Sequence, residues 1–141
     1  MHTPDAMETE LKIELASDPQ WLRVVRGVVE RWCSGAGFSE EACRQVTLAV
    51  DEAMANIIRH AYGGRGDQPV VVTCRRNAAA VEFLLEDRGV PVDRAQICRH
   101  PPDELRPGGR GTHLMQQIMD EVHYETEAAG NRVRLVKYRP R

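Results

Sequence analysis

The chain has 141 residues, 42% of them hydrophobic and 28% charged, with 19 Lys and Arg against 21 Asp and Glu for a net charge of -2. That length fits one domain burying about 68–70% of the surface its unfolded chain exposes. The charge balance gives no basic surface for nucleic acid or anionic membrane, no apolar run reaches the ~20 residues of a membrane span, and the N-terminus lacks the basic and apolar regions of a signal peptide. The expectation is a cytoplasmic protein without direct nucleic-acid or membrane contact.

Residues 1–9 read as an N-terminal leader and 10–141 as a single domain. From Glu10 to Leu15, Leu11, Ile13 and Leu15 alternate with Glu10, Lys12 and Glu14, the period of a half-buried strand. Asp18 then serves as N-cap with Pro19 at the first helical position. The helix so opened sets Trp21, Leu22, Val25, Val28, Val29 and Trp32 on one face and stops at Gly35 and Gly37. Ser39, followed by Glu40 and Glu41, opens a second helix that runs to about Ala61. Its inward residues are Val46, Ala49, Val50, Ala53, Ile57 and Ile58. Two strands follow, over Pro69–Arg75 and Ala80–Glu86, joined by a turn at Asn77.

Residues 87–111 have a different texture, with four prolines, four glycines and one short helix near Arg94–Cys98. So long a stretch with little regular structure is uncommon in a compact domain unless it is functional. A helix over Thr112–Val122 and two strands, His123–Thr126 and Arg132–Tyr138, complete the chain. This order predicts an α+β two-layer sandwich, an antiparallel or mixed β-sheet with its helices on one face. The four cysteines, Cys33, Cys43, Cys74 and Cys98, form no C-x-x-C pair and read as small buried hydrophobes, although a zinc site from distant ligands is conceivable.

Three motifs carry chemistry. In Glu52-Ala53-Met54-Ala55-Asn56 the carboxylate and the amide are four residues apart and share a helix face. Asn offers a neutral oxygen to a hard cation, and Glu can take a proton from a nucleophile; a solvated helix face is the plain alternative. In Asp87-Arg88-Gly89-Val90-Pro91 a carboxylate at a strand end can accept from an exocyclic amine, and Gly89 permits close approach of a flat ligand, although Asp-Arg-Gly is also a common turn. Pro107-Gly108-Gly109-Arg110-Gly111-Thr112 leads into a helix whose free N–H groups and dipole can cradle phosphate, with Arg110 adding a charge-assisted contact; a flexible hinge has the same composition.

Taken together and in this order, the motifs resemble the N, G1 and G2 boxes of the GHKL ATPase superfamily, which includes gyrase, Hsp90, histidine kinases and MutL, and the element order resembles its Bergerat ATP-binding fold. Within that superfamily the likeness is strongest to the small anti-sigma-factor serine/threonine kinases of the RsbW-like group. It is carried by the run from Leu48 to Tyr62 and the run from Gly109 to Val122, and it spans about Glu10 to Tyr138.

The resemblance implies ATP and Mg²⁺ as cofactors. It implies Asn56 as the Mg²⁺ ligand, Glu52 as the catalytic base toward a protein Ser or Thr, and Asp87, beside Gly89, as the carboxylate that recognises the adenine amino group. Gly109, Arg110, Gly111 and Thr112 match the ATP-binding G2 turn, so residues ~92–108 correspond to the ATP lid. Arg26 stands where these kinases carry a partner-facing arginine on the first helix, with Arg23 one turn earlier. Thr112 and His113 depart from the apolar residues usual after the G2 glycines, and Pro91 replaces the glycine of other members.

The implied activity is phosphorylation of a STAS-domain anti-anti-sigma protein, with a sigma factor as a second partner. The implied assembly is a homodimer formed in part through Trp21 and Val24. The alternative is a nucleotide-gated protein-binding switch without kinase activity, which has no need of Glu52. A histidine-kinase catalytic domain is disfavoured, because no helical hairpin with a phosphoacceptor His precedes the N box.

Overall fold

The computed structural model describes residues 6–91 and 109–140, with the backbone alone described over 109–113. Five strands, β1 (Thr9–Ala16), β2 (Pro69–Arg76), β3 (Ala80–Asp87), β4 (Glu121–Glu127) and β5 (Gly130–Tyr138), form one sheet in the order β1-β2-β3-β5-β4. The helices are α1 (Leu22–Gly35), α2 (Glu40–Asn56), continued by a π-helical segment (Ile57–Ala61), and α3 (Gly109–Ile118). Among the described residues no helix is long and apolar enough to cross a membrane.

Every pairing in the sheet is antiparallel, which corrects the mixed alternative. Two helices in succession between β1 and β2 return the chain to the end where β1 finished, so β2 runs against β1. The single helix α3 carries the chain back so that β4 is parallel to β3, but β5 is inserted between them, so they never share a ladder. Antiparallel sheets tolerate one solvated face, and this one has its helices on a single side.

The register delivers the apolar alternation to that side. Leu11, Ile13 and Leu15 of β1 lie opposite Cys74, Val72 and Val70 of β2, and Phe83 and Leu85 of β3 lie opposite Leu135 and Val133 of β5. Leu11 is 41% exposed, but Ile13 and Leu15 pack against a core formed by the other residues of these pairs together with Val25 and Val29 of α1, Val46, Val50 and Met54 of α2, and Met115 of α3. The other side is charged. Arg134 reaches Glu82 and Glu121 at 3.6 and 3.7 Å, and Arg132 reaches Glu86 at 3.9 Å. Leu84, opposite Arg134 in register, is nevertheless buried on that side, because long charged side chains lay their methylene stems over apolar surface.

Caps and turns follow the sequence closely. Ser39 Oγ accepts from the Ala42 N–H at 3.1 Å and caps α2. Asp18 Oδ1 accepts from the Gln20 N–H at 3.0 Å, but the turn it opens, Pro19–Trp21, is 3₁₀. Trp21, ahead of α1, is 41% exposed, which corrects its expected place on the buried face. At the β2–β3 turn, Asn77 Oδ1 accepts from both the Ala79 and Ala80 N–H groups at 2.8 Å.

The helix expected over Thr112–Val122 begins three residues earlier and ends four earlier. Its final part is claimed by the sheet: Val122 pairs with Leu135, the Asp120 N–H donates to the Val136 carbonyl at 2.9 Å, and Asp120 Oδ2 accepts from the Tyr138 N–H at 2.7 Å. The short helix expected near Arg94–Cys98 lies outside the described residues. Cys33, Cys43 and Cys74 are free and buried, and burial pushes the thiols of Cys33 and Cys74 up to about 12. They behave as small apolar residues. Cys98 lies outside the described residues.

One tyrosine ties three elements together. The Tyr62 hydroxyl donates to the Pro69 carbonyl at 2.5 Å, where β2 begins, and accepts from the Arg88 N–H at 2.7 Å, just after β3. Tyr62→Phe keeps the buried ring and strands both backbone groups. The expected result is a loss of about 1–3 kcal/mol, read as a lower urea midpoint at unchanged slope; an unaltered midpoint overturns this role.

Candidate nucleotide-binding site

The chemistry-bearing residues converge at the C-terminal end of α2. Its first turn carries Glu40 and Glu41 at the positive end of the helix dipole, and Cys43, Val46, Ala49, Val50, Ala53 and Met54 bury one face. That burial fixes the rotation of the helix, and with it the direction of Glu52 and Asn56, which share one edge a turn apart. Asn56 is 7% exposed. Glu52 is partly exposed; its Oε2 accepts no hydrogen bond among the described residues and lies 3.6 Å from Arg59 Nη2, two turns further along.

Beyond Asn56 the helix widens into the π-helical segment, a feature frequent at functional sites. Its last carbonyl, that of Ala61, accepts from the Val90 N–H at 2.9 Å. This contact brings the turn after β3 hard against the end of the helix. A Cβ on Gly89 would sit 2.3 Å from the Ala61 oxygen and 2.6 Å from its carbon. Only glycine fits there, and the obstacle is backbone that cannot swing aside. Gly89→Ala should therefore push the turn off the helix, costing about 1–3 kcal/mol and weakening nucleotide binding in the same protein. A variant with wild-type thermal midpoint and wild-type ATP affinity would contradict the close approach.

Asp87, at the end of β3, is 6% exposed. Its Oδ1 accepts from the Gly89 N–H and from Asn131 Nδ2, each at 2.9 Å. Burial pushes the carboxyl above its ordinary range, and these two hydrogen bonds oppose the shift by favouring the ionised form. Asp87 and Asn56 line one cleft between α2 and the sheet, whose walls include Ala53, Ile57, Leu85 and Val133. Apolar walls with a few fixed polar groups are what a flat heteroaromatic ligand requires.

The remaining expected residues are placed differently. Arg26 of α1 makes a two-pronged pair with Asp51 of α2, Nε to Oδ1 at 2.7 Å and Nη2 to Oδ2 at 3.1 Å, and keeps half of its side chain exposed. It lies beside the helix edge that carries Glu52 and does not line the cleft. The backbone of Gly109, Arg110, Gly111 and Thr112 forms the first turn of α3, so Gly109 and Gly111 lie within the start of the helix and not ahead of it as expected; the side chains of 109–113 lie outside the described residues. So does the segment of about 92–108 expected as a lid.

Arg59, with Asp51 and His60, reads in the sequence as lying near the polar edge that carries Glu52 and Asn56. Two contributors are not among the residues singled out there: Asn131 reads as part of a hairpin turn and Tyr62 as the start of one. Asn131 meets Asp87 across a strand pair, 44 positions away, and Tyr62 meets Arg88 26 positions away.

An open antiparallel sheet with its helices on one side thus carries a cleft that holds a helix-borne Asn and a strand-end Asp. The chain belongs to the histidine kinase-like ATPase domain family, whose model matches residues 15–137. Among curated proteins it is similar to the serine-protein kinase RsbW of Bacillus pumilus, at 28% identity over 138 residues, covering 91% of this chain and 85% of that protein. Similarity to the serine-protein kinase RsbW of Listeria innocua is 28% over 124 residues, covering 82% and 79%. Among solved structures, the RsbU and RsbW domains of Rv1364c from Mycobacterium tuberculosis superpose with a TM-score of 0.68 at 19% identity, covering 94% of this chain and 34% of that one. The Erythrobacter litoralis EL346 blue-light activated histidine kinase gives 0.56 at 17% identity, covering 80% and 41%. The chain thus spans about a third of the first structure's own length. At these identities the structural likeness speaks for the fold.

Proposed function

We propose that the protein is an ATP- and Mg²⁺-dependent protein serine/threonine kinase that acts as an anti-sigma-type partner switch in the cytoplasm. Its phosphoacceptor is a STAS-domain anti-anti-sigma protein and its second partner a sigma factor. The observation that carries this reading is the pairing of Glu52 and Asn56 one turn apart on α2, with Asn56 in the same cleft as Asp87. The relatives named as serine-protein kinases support it.

The residues present fit the cofactors. Among the described residues there is no group of three or more His, Cys, Asp or Glu able to hold a metal, and Mg²⁺ at kinase sites characteristically takes only one or two protein oxygens plus those of phosphate. The Asn56 side-chain carbonyl suits that role. The apolar walls of the cleft suit a purine, and Asp87 suits its amino group. When bound, ATP supplies the phosphoryl group and Mg²⁺ the neutralisation of charge that its transfer requires.

The chain's own part is positioning and proton handling. Asp87 fixes the base, and Gly109, Arg110, Gly111 and Thr112 hold the phosphates at the start of α3. Glu52, partly open to solvent, takes the proton of the incoming Ser or Thr hydroxyl. Arg26, half exposed on α1, faces the partner protein. Phosphorylation adds about -1.5 to -2 charges to the docking surface of the acceptor and releases it. A homodimer is supported by the apolar residues left exposed on β1, α1 and α2, namely Leu11, Val24 and Leu48, and by Trp21 ahead of α1; Val24 is 47% exposed.

The test is transfer of label from γ-labelled ATP to STAS-domain proteins with a Ser or Thr acceptor. A labelled STAS protein establishes the kinase. ATP-dependent complex formation without label overturns it in favour of the nucleotide-gated switch, which leaves Glu52 without a task.

A further inference from the structure

Glu52 and Arg59 stand on one edge of the continuous helix formed by α2 and its π-helical segment. Burial of Ile57, Ile58 and Ala61 fixes the rotation of that segment and leaves Arg59 partly exposed at its edge. Seven residues of α-helix rise about 10 Å, a gap that only long side chains bridge. Helical side chains lean toward the N-terminus, which carries the Arg59 guanidinium back toward Glu52. Its Nη2 comes within 3.6 Å of Glu52 Oε2, with 35% of the arginine and 26% of the glutamate side chain exposed.

The neighbouring acid is held differently. Asp51 accepts from Arg26 with both of its oxygens, at 2.7 and 3.1 Å. The approach of Arg59 to Glu52 is longer than an N–H···O hydrogen bond of about 2.7–3.2 Å, and Glu52 Oε2, although buried, accepts no hydrogen bond among the described residues. Two acids adjacent in the chain thus face separate arginines. Arg26 fills the acceptors of Asp51, whereas Arg59 opposes Glu52 by charge and leaves its acceptors unfilled.

We propose that Arg59 is a positioning residue for the base: it aims the Glu52 carboxylate at the incoming hydroxyl without occupying it. This rests on the kinase reading above. In the step it serves, the Ser or Thr oxygen bonds to the γ-phosphorus of ATP, the bond from that phosphorus to the bridging oxygen breaks, the hydroxyl proton passes to Glu52, and ADP leaves. A hydrogen-bonded arginine would compete with the hydroxyl for the same lone pairs. A glutamate with no cation beside it would sample several rotamers and meet the hydroxyl in few of them. A misplacement of about 1 Å can cost 10²-fold in rate, so orientation carries a large effect even though so exposed a pair adds little to stability.

The experiment measures single-turnover transfer from γ-labelled ATP to a STAS-domain protein that takes label from wild type, over a range of acceptor concentrations. Mg·ATP affinity is measured by calorimetry on the same full-length proteins. The variants are Arg59→Ala, Arg59→Gln, Arg59→Lys, Glu52→Gln and the double variant Arg59→Ala with Glu52→Gln, each with its thermal midpoint recorded. Arg59→Ala and Arg59→Gln should transfer about 10- to 100-fold more slowly at saturation. Nucleotide affinity and the half-saturating acceptor concentration should stay within about twofold of wild type, the pattern of a group that serves the chemical step alone. Arg59→Lys keeps the cation and has no two-pronged geometry to lose, so its rate should stay within about threefold of wild type. In the Glu52→Gln protein, further loss of Arg59 should change nothing, because residues that act as a unit are not additive.

A wild-type rate in Arg59→Ala, a lysine variant no faster than the alanine one, or an equal further loss in the Glu52→Gln background overturns the inference. So does an effect confined to nucleotide affinity or to acceptor concentration, which makes Arg59 a binding residue. The kinase reading survives all of these, since it is read from wild type and Glu52→Gln in the same series. A wild type that labels no STAS-domain protein overturns both.

Discussion

Asn56→Ala is expected to lower the affinity for ATP in Mg²⁺ by roughly 100-fold or more, since altering even outer-sphere partners of a metal costs 10–100-fold. The side chain is 7% exposed at the edge of the cleft, and among the described residues no metal-binding cluster stands ready to replace it. Calorimetry with and without Mg²⁺ separates the parts of the effect. Wild type should bind more tightly with the cation, and the variant should show one weak affinity in both conditions. Asn56→Ala also leaves a small buried space, so its thermal midpoint should be measured beside the affinity. A variant that folds and binds ATP in Mg²⁺ as wild type does would falsify the assignment of Asn56 to the cation.

The second large effect belongs to Glu52. Glu52→Ala and the isosteric Glu52→Gln should bind Mg·ATP within a few-fold of wild type while phosphotransfer falls by about 10²–10⁴-fold, the range for a lost general base. Geometry explains the separation. Glu52 does not line the cleft that holds Asn56 and Asp87, and its one described ion pair is the 3.6 Å approach to Arg59. Its removal therefore costs the fold and the base pocket little. Single-turnover transfer to a STAS acceptor is the measurement, and a Glu52→Gln protein that transfers at the wild-type rate removes Glu52 from the chemistry.

The fold was legible wherever local periodicity and tertiary demand agree. Ile13 and Leu15 alternate with charged residues and pack against the core; Ser39 and the two glutamates after it start α2 where they stand; Asn77 makes the β2–β3 turn. Legibility failed where a neighbour in space took over. The periodic run after Thr112 reads as helix through Val122, yet Glu121 and Val122 join β4 because Val136 and Leu135 offer them a ladder. Trp21 reads as part of the α1 face, yet it ends a 3₁₀ turn ahead of α1 and is left exposed.

The sequence by itself determined which chemical groups are present and which of them travel together: an amide and a carboxylate one helical turn apart, a carboxylate before a glycine, and glycines at the start of a helix. Such spacings are local and survive in any fold that keeps the elements. Only the tertiary structure decided that Asp87 meets Asn131 across a strand pair, that Gly89 rides against the Ala61 carbonyl, and that Asn56 and Asp87 share a cleft. Those contacts join residues tens of positions apart. Strand order, helix rotation and the widened end of α2 bring them together, and all three follow from burying a whole apolar face, a constraint that no short window of sequence contains.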